Sequence, residues 1–476
     1  MKKLLAVCLT LLLALSFAPA SAEKTQDFAI VGEWMWASSI YDAGAQGAET
    51  LFNRAAQMGV TDVYLLVKGT LGTVSFNKTE TALKKAHEDR DLLQEAIDAA
   101  HAHGIRLHAW LTSSNDAAYK EQFPEAGLWH YTRGRDNNVI DMTDAGFVAY
   151  MEKVVGEMCA NYDIDGMHLD YIRYNHLCNG WSEEDLAALA ARGANVEHLK
   201  EMMVKTFYAE DKDDHFIFDA LNHGDADAKI LADYRRDNVV NFAEKMIAAA
   251  RAQKPDLIVT AAMMPDGAAS LTDTAFADLH YGQRYADAAA LYDYILPMAY
   301  GLDYAQDSQW VAAVAQNAVT MGNKVVCGLQ AYYPATSENL MNDVAALRAL
   351  LPGSEGGLLG VALFRTTTYQ YAKITTADHK MTIRVFNAQP ETTLSKIEIA
   401  LAEGLKATDA AAIDGFADAS ITVSEDGATV TLAAEALLAG DAEGTLAITF
   451  EGLAPAVPAL VRPFGENETR AYHVYD

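Results

Sequence analysis

The chain is poor in cysteine and in positive charge, and beyond its first few residues it has no apolar run long enough to cross a bilayer. Of its four cysteines, Cys8 lies in the leading apolar run and the other three, Cys159, Cys178 and Cys327, are scattered. An odd, dispersed set argues against a disulfide framework and offers no close pair at zinc-ligand spacing. Stability must then come from a hydrophobic core. With 51% of its 476 residues apolar, the chain can bury a large one, in two or three domains. Lys and Arg number 36 against 65 Asp and Glu, a formal net charge of −29. A field of that sign disfavours nucleic acid and anionic membrane surfaces as partners. It also keeps a protein soluble, so it selects no substrate. No G-x-G-x-x-G follows the first strand, which weakens an open dinucleotide-binding sheet, and neither internal repeats nor low-complexity tracts occur.

What is present begins with Lys2 and Lys3, an apolar run over 4–15 and the small residues Ala20, Ser21 and Ala22. This is the build of a secretory signal peptide, 1–22, cleaved after Ala22. Because Cys8 sits inside the run, a lipoprotein anchor is not supported. The expectation is a secreted or periplasmic, extracytoplasmic protein with no integral membrane segment after cleavage.

From 28 to 372 short apolar runs alternate with amphipathic helical stretches, the pattern of a parallel α/β fold. Eight strands are expected, over 29–37, 62–67, 106–112, 166–171, 257–264, 294–300, 324–331 and 358–364. Helices with apolar residues at three- and four-residue spacing fall over 49–58, 91–103, 145–162, 227–253, 308–321 and 338–351. Eight such units favour a closed (β/α)8 barrel. A long insertion, 175–226, follows the fourth strand and carries Trp181, Phe207, Tyr208, His215 and Phe216, which suit either stacking surfaces over a cleft or a helical subdomain with its own small core. After Lys373 the texture changes to alternating segments over 381–386, 396–401, 419–423, 428–432 and 445–450, punctuated by Gly, Asp and Asn. Residues 380–476 read as an all-β sandwich-like accessory module.

The most informative stretch is Tyr162-Asp163-Ile164-Asp165-Gly166-Met167-His168-Leu169-Asp170-Tyr171-Ile172-Arg173-Tyr174. Strand side chains alternate with period two, so Met167 and Leu169 take one face and His168 and Asp170 the other. In a (β/α)8 barrel the inward, C-terminal strand ends carry the chemistry. Asp163 and Asp165 precede the strand, at the stability face, and read as structural. On the third strand His108 and Trp110 share a parity opposite Leu107, Ala109 and Leu111 and are expected to face inward.

Together with Asn138-Val139-Ile140-Asp141-Met142, this stretch resembles the glycosyl-hydrolase-like family 10 group of bacterial exported proteins. The third, sixth and seventh strands, 101–111, 293–300 and 326–332, are similar in order. Two departures occur: Asn175 follows Tyr174 where the family motif closes with proline, and the segment around Trp34 and Trp36 matches loosely. The resemblance implies a TIM-barrel glycoside hydrolase acting on a bacterial or environmental polysaccharide, cell-wall glycan being one associated class.

Glycosidic bonds break through an oxocarbenium-like transition state that usually needs two carboxyl groups. Asp170 is the first choice; a buried ion pair with Arg173 is its plain structural alternative. Asp303, just beyond the sixth strand, is the leading partner, with Asp266 and Glu33 as rivals, each of which suits a cap or a surface charge as well. The expected substrate-binding set is His108, Trp110, His168, Arg173, Tyr174, Tyr300 and Tyr332. Trp110, Tyr300 and Tyr332 would form an apolar platform for pyranose faces, although aromatics inside a barrel are more often core. Arg173 would hold a substrate carboxylate, as on a muramic or uronic acid unit. A non-catalytic carbohydrate-binding barrel is the alternative reading. A metal-dependent hydrolase built on His108, His168 and Asp170 ranks below both, because these residues have no recognised ligand spacing; no cofactor is otherwise implied.

Overall fold

A computed structural model describes residues 28–135, 138–416 and 418–475. The expected signal peptide lies outside the described residues. Eight parallel strands close into a barrel: β1 (Ile30–Trp36), β2 (Asp62–Lys68), β3 (Arg106–Thr112), β4 (Gly166–Asp170), β5 (Ile258–Met263), β6 (Tyr294–Pro297), β7 (Val325–Gln330) and β8 (Leu358–Phe364). Each pairs with its sequence neighbours, and β1 joins β8 to close the ring. Seven of the eight end within two residues of expectation. The exception, β6, stops at Pro297, which has no N–H to continue the ladder.

Several of the long helices start where side chains cap them. Asp144 accepts from the Phe147 N–H at 2.7 Å to begin Ala145–Asn161, and Thr336 and Asn339 form a capping box before Ser337–Leu350. Their apolar faces and the outward faces of the strands make one continuous core, in which Leu65, Leu107, Met167, Val259 and Val361 are fully or almost fully buried. Each such side chain contributes about 1.5–3 kcal/mol of transfer free energy.

Inside the barrel a second cluster gathers Trp34, Tyr64, Trp110, Tyr294, Leu296 and Val326. Rings of this size fit because glycines face them. A Cβ on Gly166 would lie 2.0 Å from His108 Nδ1, and one on Gly328 would lie 2.9 Å from the Trp34 ring.

Between β4 and the long helix Ala226–Arg251 run three shorter helices, Glu183–Ala191, Val196–Phe207 and Phe216–Asn222. With Trp181, Leu199, Met203, Phe218 and Leu231 they build their own core, and the Trp181 indole donates to the Leu177 carbonyl. Trp181 and Phe207 therefore pack inside this layer and do not stack over the cleft.

The C-terminal strands are β9 (Gln370–Ala377), β10 (Lys380–Phe386), β11 (Leu394–Leu401), β12 (Lys406–Asp414), β13 (Ser420–Val423), β14 (Thr429–Leu438), β15 (Glu443–Glu451), β16 (Ala459–Phe464) and β17 (Ala471–Tyr475). They form a five-stranded sheet, β12-β15-β10-β9-β17, and a four-stranded sheet, β13-β14-β11-β16, around a shared apolar core. Four of these strands, β9, β12, β16 and β17, have no counterpart among the expected segments. Of these, β12 is an edge strand with mostly exposed Ala and Asp, and β16 is an edge strand that carries Pro463.

Candidate functional site

The sequence reverses its character along the barrel axis, and the site follows from that. At the lower end Asp62, the first residue of β2, accepts two hydrogen bonds from Arg106, each 2.9 Å, and one from His108 Nε2 at 2.8 Å. Burial alone would push this carboxyl up, but the His108 and Arg106 donors outweigh it and hold Asp62 down at about 2. One layer higher, the Trp34 indole N–H donates to His168 Nε2 at 3.1 Å. Indole nitrogen can only donate, so Nε2 is bare and the proton sits on Nδ1, which reaches Thr260 Oγ1 at 2.9 Å. Burial, aided by the nearby His108, keeps His168 well below the usual histidine range, hence neutral.

These positions change the reading of three expected ligands. His108 and His168 face the interior, but beneath the cleft, with His108 Nε2 and both His168 nitrogens bonded to protein groups. Tyr174 is buried against the long helix Ala226–Arg251: Arg235 stacks on its ring at 3.8 Å and Asn238 donates to its hydroxyl at 2.8 Å. With both His168 nitrogens occupied, His108, His168 and Asp170 do not form a metal site. Among the described residues, a grouping able to hold a metal is His198, Asp225 and Asp227 in the inserted layer. There His198 and Asp227 bond each other at 2.8 Å and Asp225 caps a helix.

The upper end is different. A cleft of about 630 Å³ opens at the C-terminal strand ends, lined by Trp36 of β1, Leu66 of β2, Trp110 and Thr112 of β3, Asp170 with Tyr171 and Arg173 after β4, Met298 and Tyr300 after β6, and Phe364 of β8. Gly69, Thr70 and the 60% exposed Leu71, on the loop after β2, form one wall. Behind that wall the buried Lys68 and Asp116 pair at 3.1 Å, and Lys68 also donates to the carbonyls of Thr112 and Asn115.

Asp170, 6% exposed, forms part of the cleft floor. Trp110 Nε1 donates to its Oδ2 at 3.2 Å and the Tyr171 N–H to its Oδ1 at 2.6 Å. The second bond requires an unusual backbone: Tyr171 has φ of 50°, a left-handed conformation disfavoured for a bulky residue and common where a loop is held for function. Ser114 secures the turn by donating to the Tyr171 carbonyl at 2.6 Å. Burial raises the Asp170 carboxyl above its ordinary range, opposed in part by the Arg173 charge and by the Tyr171 and Trp110 donors. Arg173 makes no ion pair with it; the guanidinium lies over the Tyr171 ring at 4.3 Å.

Among the described residues Asp170 is the only carboxylate that lines this cleft. Asp303 is exposed at the rim, where Gln330 donates to it at 3.0 Å and the Tyr332 hydroxyl forms a very short bond. Tyr332 packs edge-on against Tyr300 and Phe364, which line the cleft, so Asp303 is one ring removed from it. Asp266 accepts from the Tyr304 hydroxyl at 3.1 Å outside the lining. Glu33 points outward from β1, between the barrel and the C-terminal sheets, and accepts from Tyr369 at 2.6 Å and Tyr371 at 2.8 Å. Trp36, Tyr171 and Phe364 line the cleft without having been anticipated. For Trp36 and Phe364 the signal was available, since each ends a strand on its inward parity.

The family described as glycosyl hydrolase-like 10 matches residues 61–333, more than half of the chain. The PgaB (BpsB) glycoside hydrolase domain from Bordetella bronchiseptica has a similar fold, with a TM-score of 0.55 at 14% identity over 71% of this chain and 94% of that one. The β-galactosidase of the psychrophilic Marinomonas ef1 is similar at a TM-score of 0.49 and 15% identity, over 71% of this chain and 54% of that one. No curated protein matches the sequence.

Proposed function

The chain belongs to the glycosyl hydrolase-like 10 family, and from that premise we propose that it is an exported glycoside hydrolase cleaving O-glycosidic bonds of a bacterial or environmental polysaccharide, cell-wall glycan included. The observation that carries this reading is Asp170, a buried carboxyl at the upper end of β4, on the floor of an aromatic cleft, with its affinity for a proton raised. A carboxyl in that condition suits the general acid, which must be protonated to give its proton to the leaving oxygen. Trp110 and the Tyr171 N–H orient it. Trp36, Trp110, Tyr300 and Phe364 offer apolar faces to sugar rings.

The second carboxylate we assign is Asp303, which Tyr332 connects to the cleft wall. In this reading it activates the attacking water as Asp170 protonates the leaving group. The leading segment 1–22 supports export, and 380–476 serve as an accessory module beside the barrel.

The test is reducing-end release from a panel of bacterial glycans by the wild type and by Asp170→Asn. A loss of about 10²–10⁴-fold is expected, the usual contribution of a positioned general acid. Unchanged turnover sinks the assignment. One observation favours a second reading: with a single carboxylate lining the cleft, the barrel suits a carbohydrate-binding protein. Under it, glycans bind the wild type and no reducing ends appear.

A further inference from the structure

Resting on the glycan reading above, we infer that the ligand is an acidic glycan whose sugar carboxylates are gripped by two guanidinium groups, Arg173 of the cleft lining and Arg365, which is stacked on the lining residue Trp36 across the barrel. The placement comes from the barrel itself. Arg173 follows β4 and Arg365 follows β8, and in a ring of eight strands these two are diametrically opposed.

Both guanidiniums are unpaired, which is unusual in this molecule. Arg54, Arg90, Arg106, Arg284, Arg384 and Arg462 each bind a carboxylate. In a chain with a formal charge of −29, acidic partners are abundant. Yet among the described residues neither Arg173 nor Arg365 has a hydrogen-bonded or ion-paired side-chain partner. Asp170 does not fill that role for Arg173, because its oxygens face the Trp110 and Tyr171 donors.

Each arginine is instead stacked on an aromatic ring that lines the cleft. Arg173 lies 4.3 Å from the Tyr171 ring centre and Arg365 lies 3.3 Å from that of Trp36. Stacking restrains a guanidinium through its face and leaves its in-plane N–H donors available. Those donors match a carboxylate two at a time. A planar ring beside an unpaired fork is a fitting surface for a pyranose bearing a carboxylate, and two such surfaces across one cleft suit a chain with more than one acidic unit.

Carboxylates reach bacterial glycans as uronic acids or as the lactyl group of muramic acid, and the experiment separates them. Binding of tetragalacturonate, of a muramic-acid-containing disaccharide and of the neutral chitotetraose is measured by calorimetry on the full chain. Asp170→Asn serves as background, so that turnover plays no part. At least one acidic ligand should bind about tenfold or more tightly than the neutral one, as charge-assisted hydrogen bonds allow. That advantage should fall about tenfold in Arg173→Gln, and again when Arg365→Gln is added, while neutral affinity holds. Arg173→Lys, which keeps the charge and loses the fork, should fall between and guards against a folding artefact. Equal affinity for acidic and neutral sugars, or an advantage surviving both substitutions, overturns the inference and leaves the glycan reading standing. Failure of every sugar to bind overturns both.

Discussion

The two ends of the barrel interior contain the same kinds of residue and use them in opposite ways. At the lower end Asp62, Arg106, His108, Tyr64 and Tyr294 meet one another: the carboxylate takes three side-chain donors from His108 and Arg106, and the two phenols share a bond of 3.1 Å. At the upper end Asp170, Arg173 and Tyr300 line a cleft and Arg365 lies over the lining ring of Trp36, and three of the four have no hydrogen bond to their polar tips among the described residues. A polar group buried with its partner stabilises the fold, and one left open is available to a ligand. Stability and binding are thereby separated along one axis, and substitutions at the two ends should separate them as well.

The largest effect is expected from breaking the lower network. Asp62→Asn removes the charge shared by the partly exposed Arg106 and the fully buried His108, and losing hydrogen bonds to a charged group of this kind costs about 1.5–3 kcal/mol. Thermal unfolding should show a large fall in Tm. Asp170→Asn should do the reverse: its carboxyl is raised in the fold, so the charged form opposes folding near neutral pH, and Asn leaves Tm unchanged or higher while turnover collapses. A large loss of Tm in Asp170→Asn would undo the contrast.

Acid sharpens the same comparison with a smaller effect. Asp62 is held at about 2 in the fold against an ordinary 3.8, so its contribution is fully present above pH 4 and is lost as pH falls through about 2. The shift corresponds to about 2 kcal/mol. Denaturant titrations between pH 5 and pH 2 should show that loss in the wild type and lack that component in Asp62→Asn.

The barrel was legible in the sequence because eight short apolar runs alternate with amphipathic helical stretches, six of them at clear spacing, and because Gly166, His168 and Asp170 sit in one short run. Parity placed His108 and His168 inside, correctly as to face, but parity does not report height. His108 stands two residues from the start of β3, so it joins the Asp62 layer and not the cleft. Tyr174 was misjudged for a related reason: the left-handed turn at Tyr171 redirects the chain, and the long helix Ala226–Arg251 then covers the ring. Glu33 looked like a barrel carboxylate until its parity is set beside that of Trp34, which faces inward and sends Glu33 to the seam with Tyr369 and Tyr371. The stacked, unpaired state of Arg365 depends on where Trp36 lies in space, which no local pattern encodes.

The finest cut through the comparison deletes one oxygen at each end. Tyr64→Phe removes a hydroxyl bonded to Tyr294, leaves that phenol only a long 3.5 Å contact with His108 Nε2 in a buried layer, and should cost about 1 kcal/mol in denaturant unfolding. Tyr300→Phe removes a hydroxyl that is buried beside the cleft and has no partner. Nothing in the fold depends on that atom, so Tm should hold or rise slightly. If the hydroxyl serves a bound glycan, affinity should fall by about threefold to tenfold, the worth of one ordinary hydrogen bond. A fall in Tm with unchanged affinity would place Tyr300 with the lower residues and move the boundary between the two ends upward.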